Sequence, residues 1–233
     1  MARGDILLIL DGDGRLNKTF IEDALPMIRD DSIAAVQGRY SPSNRNYNFI
    51  TRMLALEDMC SVLDLPTSAK YDGTMERVAR AVRPLSTAPE EDLLIIVKRA
   101  LFAWLIADGD MHLKNMALLK IAEPGNGQFR SVRMAPLYDA VTTRVFPKLK
   151  HDHLALKLNG KDDNLRRADF QTLATTAGLR AGVAEAAIDE LLRRLREAVD
   201  RIAVPKAIAL TEDMHKLTTE VLGLCRQRIE GMR

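Results

Sequence analysis

The longest apolar pattern lies in the middle of the chain, at residues 88–106, APEEDLLIIVKRALFAWLI. From Leu93 onward, apolar residues occupy every face of a helix drawn through this stretch, as in helices that are buried on all sides. Three acidic residues, Glu90, Glu91 and Asp92, come just before Leu93, in the first turn of the predicted helix, where negative charge is stabilising. The pattern therefore predicts a long helix at the centre of a domain.

Shorter patterns predict helices and strands on both sides of it. Apolar positions three or four apart predict further helices at 16–28, 55–65, 73–82, 167–177, 183–201 and 205–230. Short apolar or alternating runs predict strands at 5–10, 32–40, 116–122, 129–135 and 153–160. The link EPGNGQ between the third and fourth of these strands contains turn-forming residues and predicts a β-hairpin. The expected fold class is mainly α (α+β).

Composition narrows the class of protein. The chain has 233 residues, 47% of them hydrophobic and 28% charged, which is typical of a globular protein with a real core. The formal net charge of +2 gives no basis for direct nucleic-acid binding. Cys60 and Cys225 are predicted to be free buried thiols. The first apolar run is too short for a signal peptide and no run has membrane-spanning length, so we expect a cytoplasmic protein without a membrane contact.

A polar cluster, DGDMHLKN at 108–115, follows the central helix directly. The predicted hairpin returns the chain to this cluster, and therefore places Asp139 close to Asn115. Asp110, Asn115 and Asp139 are then expected to lie around one point. Carboxylate and amide oxygens suit Mg²⁺, which also keeps waters and phosphate oxygens as ligands. An Asp, an Asn five residues later and a second Asp after a hairpin is the layout of a protein-kinase catalytic loop with its metal-binding Asp.

These motifs resemble the HipA family of serine/threonine kinases, the toxin half of bacterial HipBA toxin–antitoxin modules. GDMHLKN is similar to the family's T-D-x-H-x-K-N loop, and APLYDA to its P-x-Y-D. LALEDMCSVLDLPTSAKY is similar to Q-E-D-x-C-x-x-x-G-L-x-x-x-x-K-Y, and LALKLNG to a fourth segment. The resemblance covers roughly residues 36–230. It implies a protein-kinase-like C-terminal lobe with a small active-site hairpin.

The resemblance also implies roles for individual residues. Asp110 would be the catalytic base, Asn115 and Asp139 the magnesium ligands, and Lys114 a cation near the transferred phosphate. His112 would brace the loop beside the nucleotide. The hinge that meets the adenine of ATP would comprise Gln37, Arg39 and Tyr40. The implied cofactors are ATP and Mg²⁺.

The sequence departs from the family pattern in its first part. It contains no Gly-rich phosphate loop and no apolar strand with a nucleotide-binding Lys, and Asp108-Gly109 and Gln37 replace family residues. We therefore expect a truncated N-terminal lobe and hinge at 1–50 and a helical lobe at 51–233. The chain would be part of a longer kinase, be completed by a separate chain, or be degenerate, with weak or no activity alone.

The function implied by resemblance is phosphoryl transfer from Mg-ATP to a Ser or Thr of a protein substrate, in a toxin component. The implied partner is a HipB-like antitoxin or a separate N-terminal lobe. A first alternative is an inactive kinase-like fragment that binds such a partner. A second is a phosphatase of the haloacid-dehalogenase type, because ILLILDGDG places Asp11 and Asp13 after an apolar strand. His151 and His153 are most simply surface residues.

Overall fold

The computed structural model describes residues 54–122, 129–202 and 211–232, together with isolated positions in the first thirty residues. The chain divides into two compact units, Met1–Arg52 and Met53–Arg233. The fold below is that of the second unit. The strands predicted at 5–10 and 32–40 lie outside the described residues. So do the residues predicted for the hinge and for the phosphatase alternative, namely Gln37, Arg39, Tyr40, Asp11 and Asp13.

Three antiparallel strands form a small sheet: β1 (Leu54–Asp58), β2 (Ala117–Ala122) and β3 (Phe129–Met134). β2 is central, so the strand order follows the chain order. The predicted hairpin is confirmed as the pair β2 and β3, in which Leu118 faces Met134. Its register is regular except for a shift between Ile121 and Ala122.

The helix predicted over 55–65 is wrong for its first part, because residues up to Asp58 form β1. Only Met59–Val62 is helical, as the short helix α1. Asp58 separates the two elements, since its side chain caps α1 by accepting the Ser61 N–H at 3.0 Å. The free edge of β2 supplies backbone partners to the preceding residues, and such tertiary pairing overrides a weak helix propensity.

Five longer helices complete the lobe: α2 (Met75–Leu85), α3 (Pro89–Ile106), α4 (Arg167–Thr176), α5 (Ala181–Val199) and α6 (Glu212–Glu230). They match the helices predicted at 73–82, 88–106, 167–177, 183–201 and 205–230, whereas the helix predicted at 16–28 lies almost entirely outside the described residues. α3 is the predicted central helix and packs against all four of the others. Its fully buried residues share one broad face, namely Leu93, Ile96, Val97, Ala100, Leu101 and Leu105, whereas the opposite face, with Ile95 and Phe102, is only partly buried. The C-terminal end of α3 is therefore fixed within the core.

The strand predicted at 153–160 is also wrong. This stretch makes only isolated bridges, between Thr74 and Lys157 and between Leu158 and Lys161. Leu154, Leu156 and Leu158 are nevertheless buried. The alternation that suggested a strand thus reflects an irregular segment that inserts every second side chain into the core and meets no strand edge along its length.

Candidate active site

The central helix ends where the polar cluster begins. Ala107 caps α3 in the left-handed conformation, with φ of 58°. Its carbonyl accepts the Thr143 backbone N–H at 3.0 Å and the Thr143 hydroxyl at 3.2 Å. The Asp108 N–H returns to the Ala103 carbonyl at 2.8 Å. The buried helix end is thus satisfied by specific bonds, as an end without water access requires.

Asp108 supports the polar loop from its buried side. It is 2% exposed, and its Oδ1 accepts the Asp110 N–H at 3.0 Å. Burial raises the pKa of the Asp108 carboxyl to about 6. This side chain orients the backbone of Asp110 and is itself turned away from solvent.

Gly109 is a point of close approach. A Cβ at this position would lie 2.1 Å from Oδ2 of Asp152 and 2.7 Å from Oγ1 of Thr143. The Gly109 N–H donates to that same hydroxyl at 3.1 Å. The glycine that departs from the family motif therefore makes room for the carboxylate of Asp152.

Asn115 joins the two acidic residues, as the hairpin argument predicted. It is 3% exposed, and its Nδ2 donates to the backbone carbonyls of Asp110 at 3.1 Å and of Asp139 at 3.4 Å. Because both partners are acceptors, the amide nitrogen faces them and the amide oxygen is directed away. The backbones of Asp110 and Asp139 are therefore brought together around Asn115.

Asp139 has an unusual backbone conformation. Its φ is 53°, in the left-handed region that non-glycine residues seldom adopt and that often marks functional sites. Next to it, the Tyr138 hydroxyl donates to the Lys114 carbonyl at 2.7 Å. Upstream, the buried Arg99 of α3 donates to the Ala135 carbonyl. These two bonds fix the segment that leads from β3 into Asp139.

The donors available to a metal are hard oxygens. Asn115 offers an amide oxygen and Asp139 a carboxylate. Such oxygens suit Mg²⁺, which usually binds one or two protein ligands together with waters and phosphate oxygens. Among the described residues, no group of three or more His, Cys, Asp and Glu side chains forms a complete metal site. A magnesium ion held here would complete its coordination with waters and with oxygens of a bound phosphate group.

Asp110 borders a cavity on its other side. Its side chain is 42% exposed, and Oδ1 accepts the Tyr71 hydroxyl at 2.6 Å. That bond, together with burial, raises the pKa of Tyr71 to about 12. The adjoining cavity has a volume of about 490 Å³. Its walls are largely apolar and include Val141, Phe146, Leu149, Leu154 and Ala155, with Asp110 and Asp152 as the acidic residues.

His112 lies beneath this surface. Its Nε2 is 2.8 Å from Nζ of Lys70 and 3.9 Å from Oδ1 of Asp110. Burial and the charge of Lys70 lower the pKa of His112. The imidazole is therefore neutral and is held by Lys70, and its predicted contact with nucleotide stays a prediction.

Lys114 is placed differently from Lys70. Its side chain is exposed, and its ammonium makes no hydrogen bond or ion pair with the described part of the chain. Lys70 and Tyr71 belong to a segment that carries the family resemblance, but the resemblance implies no role for them in the site. The KY motif could have indicated that these two residues belong to the site. Nothing in the sequence indicated that the Thr143 hydroxyl would connect Ala107 with Gly109.

The described unit is a mainly helical lobe with a three-stranded sheet, and its polar loop lies between the central helix and the hairpin. Residues 30–200 match the HipA-like C-terminal domain family. The chain therefore belongs to this family. The predicted fold class is confirmed, and the phosphatase alternative receives no support from this match.

Two candidate kinases of Sinorhizobium fredii (strain NBRC 101917 / NGR234) are similar in sequence. Y4mE is 28% identical over 165 residues, which are 68% of this chain and 37% of the relative. Y4dM is 28% identical over 173 residues, which are 71% of this chain and 40% of the relative. The chain thus spans about two fifths of the length of these relatives.

A solved structure has a similar fold. It is a chain of the Shewanella oneidensis MR-1 toxin–antitoxin complex of HipA, HipB and operator DNA, with a TM-score of 0.61 and 18% identity. The similarity covers 76% of this chain and 43% of that chain. No helix among the described residues is long and apolar enough to cross a membrane.

Proposed function

We propose that this chain is the nucleotide- and metal-binding part of a serine/threonine protein kinase that transfers the γ-phosphoryl group of Mg-ATP to a protein. The observation that carries the proposal is the junction at Asn115, whose amide binds the backbones of Asp110 and Asp139 together. Membership of the HipA-like family supports it. The three residues have the chemistry of a kinase catalytic loop and its metal Asp.

In this proposal Asp110 acts on the acceptor hydroxyl. Its exposed carboxylate accepts the hydrogen bond of a Ser or Thr hydroxyl and takes its proton as the new oxygen–phosphorus bond forms. The bond from the γ-phosphorus to its bridging oxygen breaks, and ADP leaves with that electron pair. Asn115 and Asp139 would hold magnesium, which would neutralise the charge of the phosphates.

The partners are inferred from the family. The chain spans only part of its relatives, so the phosphate loop and the nucleotide-binding Lys would come from another part of a longer protein or from a separate chain. The residues 1–50, with Gln37, Arg39 and Tyr40, would supply the hinge to the adenine. The solved relative is in a complex with HipB and DNA. A HipB-like antitoxin is accordingly the proposed regulatory partner, in the cytoplasm and without direct nucleic-acid binding by this chain.

Isothermal titration calorimetry of ATP with and without Mg²⁺ tests the proposal. We expect Mg²⁺-dependent ATP binding that Asp139→Ala weakens by at least about tenfold, since a metal ligand is lost. The matched control is Asp213→Asn, which removes an exposed carboxylate from the first turn of α6. Binding that is absent, or unchanged in Asp139→Ala, overturns the proposal.

A second measurement separates the kinase from a non-catalytic scaffold. Where the chain binds an antitoxin in pull-down but no nucleotide, the scaffold alternative is supported. Where Mg-ATP binds, γ-³²P transfer to a mixed protein substrate should be lost in Asp110→Asn while ATP affinity stays within about threefold, because Asp110 faces the acceptor and not the metal.

A further inference from the structure

Residues 70–73, KYDG, form a clamp on the catalytic loop. The Lys70 carbonyl accepts the Leu113 N–H at 3.0 Å, and the Tyr71 hydroxyl donates to Asp110 at 2.6 Å. A Cβ on Gly73 would lie 2.9 Å from a methyl carbon of Leu113, so the two segments are in direct contact. The clamp is separated from the loop by about forty residues in sequence and is nevertheless part of the same site.

The ammonium of Lys70 is the cation of this clamp. Its Nζ lies 2.8 Å from Nε2 of His112 and 4.9 Å from the centre of the Tyr71 ring. A lysine ammonium has three donors and no acceptor, so Nε2 accepts and the imidazole is neutral. Lys70 forms no ion pair with a carboxylate elsewhere in the described chain. Two of its three donors are therefore left for another acceptor.

The position of this cation is defined by its neighbours. His112 is two residues from Asp110, which faces the acceptor, and three residues from Asn115, which faces the proposed metal. The transferred phosphoryl group must pass between those two residues, because the attacking and leaving oxygens are roughly in line. The Lys70 ammonium is held on this loop, because it lies 2.8 Å from Nε2 of His112, which is itself 3.9 Å from Oδ1 of Asp110. The side chain of Lys114, in contrast, is exposed and unrestrained by hydrogen bonds within the described residues.

We propose that Lys70, positioned by neutral His112, is the residue that contacts the transferred phosphoryl group, in place of Lys114. This inference rests on the proposed kinase function. A fixed ammonium stabilises the negative charge that spreads over the equatorial oxygens of the phosphoryl group in the transition state. A lysine that only braced the loop would affect stability without distinguishing ATP from ADP.

The test compares three ligands in calorimetry with the whole chain: MgADP, MgATP, and MgADP with aluminium fluoride, which mimics the transferred group. For Lys70→Gln we expect MgADP affinity within about twofold of the wild type. MgATP should bind about tenfold more weakly and the fluoride complex about 100-fold more weakly, since a transition-state contact is lost. Lys70→Arg, which retains the charge, should recover most of the difference between ATP and ADP.

Two further lysines give the comparison its specificity. Lys216→Gln removes an exposed lysine of α6 and should leave all three affinities unchanged. Lys114→Gln tests the competing assignment, and a loss for MgATP and aluminium fluoride in that variant but not in Lys70→Gln overturns the inference. If Lys70→Gln does not fold by circular dichroism, Lys70→Met repeats the test with a more apolar side chain.

Failure of the inference and failure of the proposed function differ in outcome. If Asp139→Ala abolishes the binding of Mg-nucleotides and Lys70→Gln leaves all affinities unchanged, only the role of Lys70 is overturned. A wild-type chain that binds none of the three ligands overturns the proposed function, and the role of Lys70 with it. Equal losses for MgADP and MgATP in both Lys70 variants overturn the inference too, because they show that Lys70 has only a bracing role.

Discussion

The polar loop at 108–115, the proposed catalytic loop, has two sides that are built differently. On the side of Asn115, an almost fully buried amide bonds to two backbone carbonyls, and Tyr138 fixes the neighbouring backbone. On the side of Asp110, the carboxylate is 42% exposed and meets a cavity wall in which Phe146 is 53% exposed. On the Asn115 side, hydrogen bonds fix the positions of the backbone and of the amide. On the Asp110 side, an apolar surface is left open to solvent.

This difference fits the proposed function, in which an ion would bind on one side and a protein acceptor would approach the other. Metal ligands must be placed before the ion arrives, since small errors in position reduce affinity and rate strongly. A protein acceptor needs a surface that it can approach, and aromatic and aliphatic side chains next to a polar group are common at such contacts. The comparison predicts larger stability effects on the Asn115 side than on the Tyr71 side.

Asn115→Asp should have the largest effect. The new carboxylate would face two carbonyl oxygens that now receive amide protons, and it would lie near two other carboxylates. We expect the free energy of unfolding to fall by roughly 2–4 kcal/mol at pH 7, as for a buried charge without a donor. Urea denaturation measures it, with the exposed Gln227→Glu of α6 as the control. A loss below about 1 kcal/mol would show that the two bonds are not what holds the loop.

Gly109→Ala should follow in size. The added Cβ would collide with the carboxylate of Asp152 and the hydroxyl of Thr143. We expect a loss of about 1–3 kcal/mol, typical of overpacking. In the double variant with Asp152→Ala much of that loss should be recovered, because one of the two colliding groups is gone. Gly182→Ala, where the new Cβ meets nothing within 4 Å, is the matched control.

The main helices were predictable because their apolar residues recur with the helical period. The same holds for the hairpin, where turn residues separate two apolar runs, and for the approach of Asp139 to Asn115, which follows from hairpin geometry alone. Such features are local, or need one turn to connect them.

The features that the sequence did not predict depend on contacts between distant segments. β1 is a strand because β2 offers an edge to it, and the leucines at 154–158 alternate without any strand. Lys70 and Tyr71 reach the loop from about forty residues away, and Thr143 reaches it from beyond the hairpin. The periodicity of the sequence does not predict these long-range contacts, since each contact depends on how the whole lobe packs.

Asp108→Asn tests the buried support of the loop by pH. The pKa of Asp108 is raised to about 6, above its ordinary value near 4, so the folded chain binds this proton more tightly than the unfolded chain. Its contribution to stability is therefore full below about pH 4 and is lost as the pH rises through about 6. An asparagine side chain has no such dependence and still offers an oxygen to the Asp110 N–H.

The substitution Asp108→Asn is thus expected to stabilise the chain by about 1–2 kcal/mol more at pH 8 than at pH 4. Thermal unfolding across this pH range measures the difference, with Asp213→Asn as the control for an exposed carboxylate. A difference of the opposite sign would show that Asp108 is stabilised as an anion, for instance by a cation bound in the loop.

Tyr71→Phe should have the smallest effect on stability. The hydroxyl makes one hydrogen bond to Asp110 at a half-exposed position, so its loss should cost about 0.5–1 kcal/mol at pH 7. In an Asp110→Asn background the cost should shrink, because the charged acceptor is gone. Because the Asp110 bond is the main cause of the raised Tyr71 pKa, that pKa should also fall from about 12 towards 10 in Asp110→Asn, as ¹³C NMR of labelled tyrosine would show.

The size of this small effect bears on the difference between the two sides of the loop. Tyr71 donates to Oδ1 of the carboxylate that would accept the substrate hydroxyl in the proposed mechanism, so an approaching substrate would share this carboxylate with Tyr71 or exchange with it. A weak and solvent-accessible bond allows that exchange at little cost, whereas one worth more than about 2 kcal/mol would make Tyr71 a structural part of the loop. The two sides of the loop would then be equally rigid, and the open acceptor surface would need another explanation.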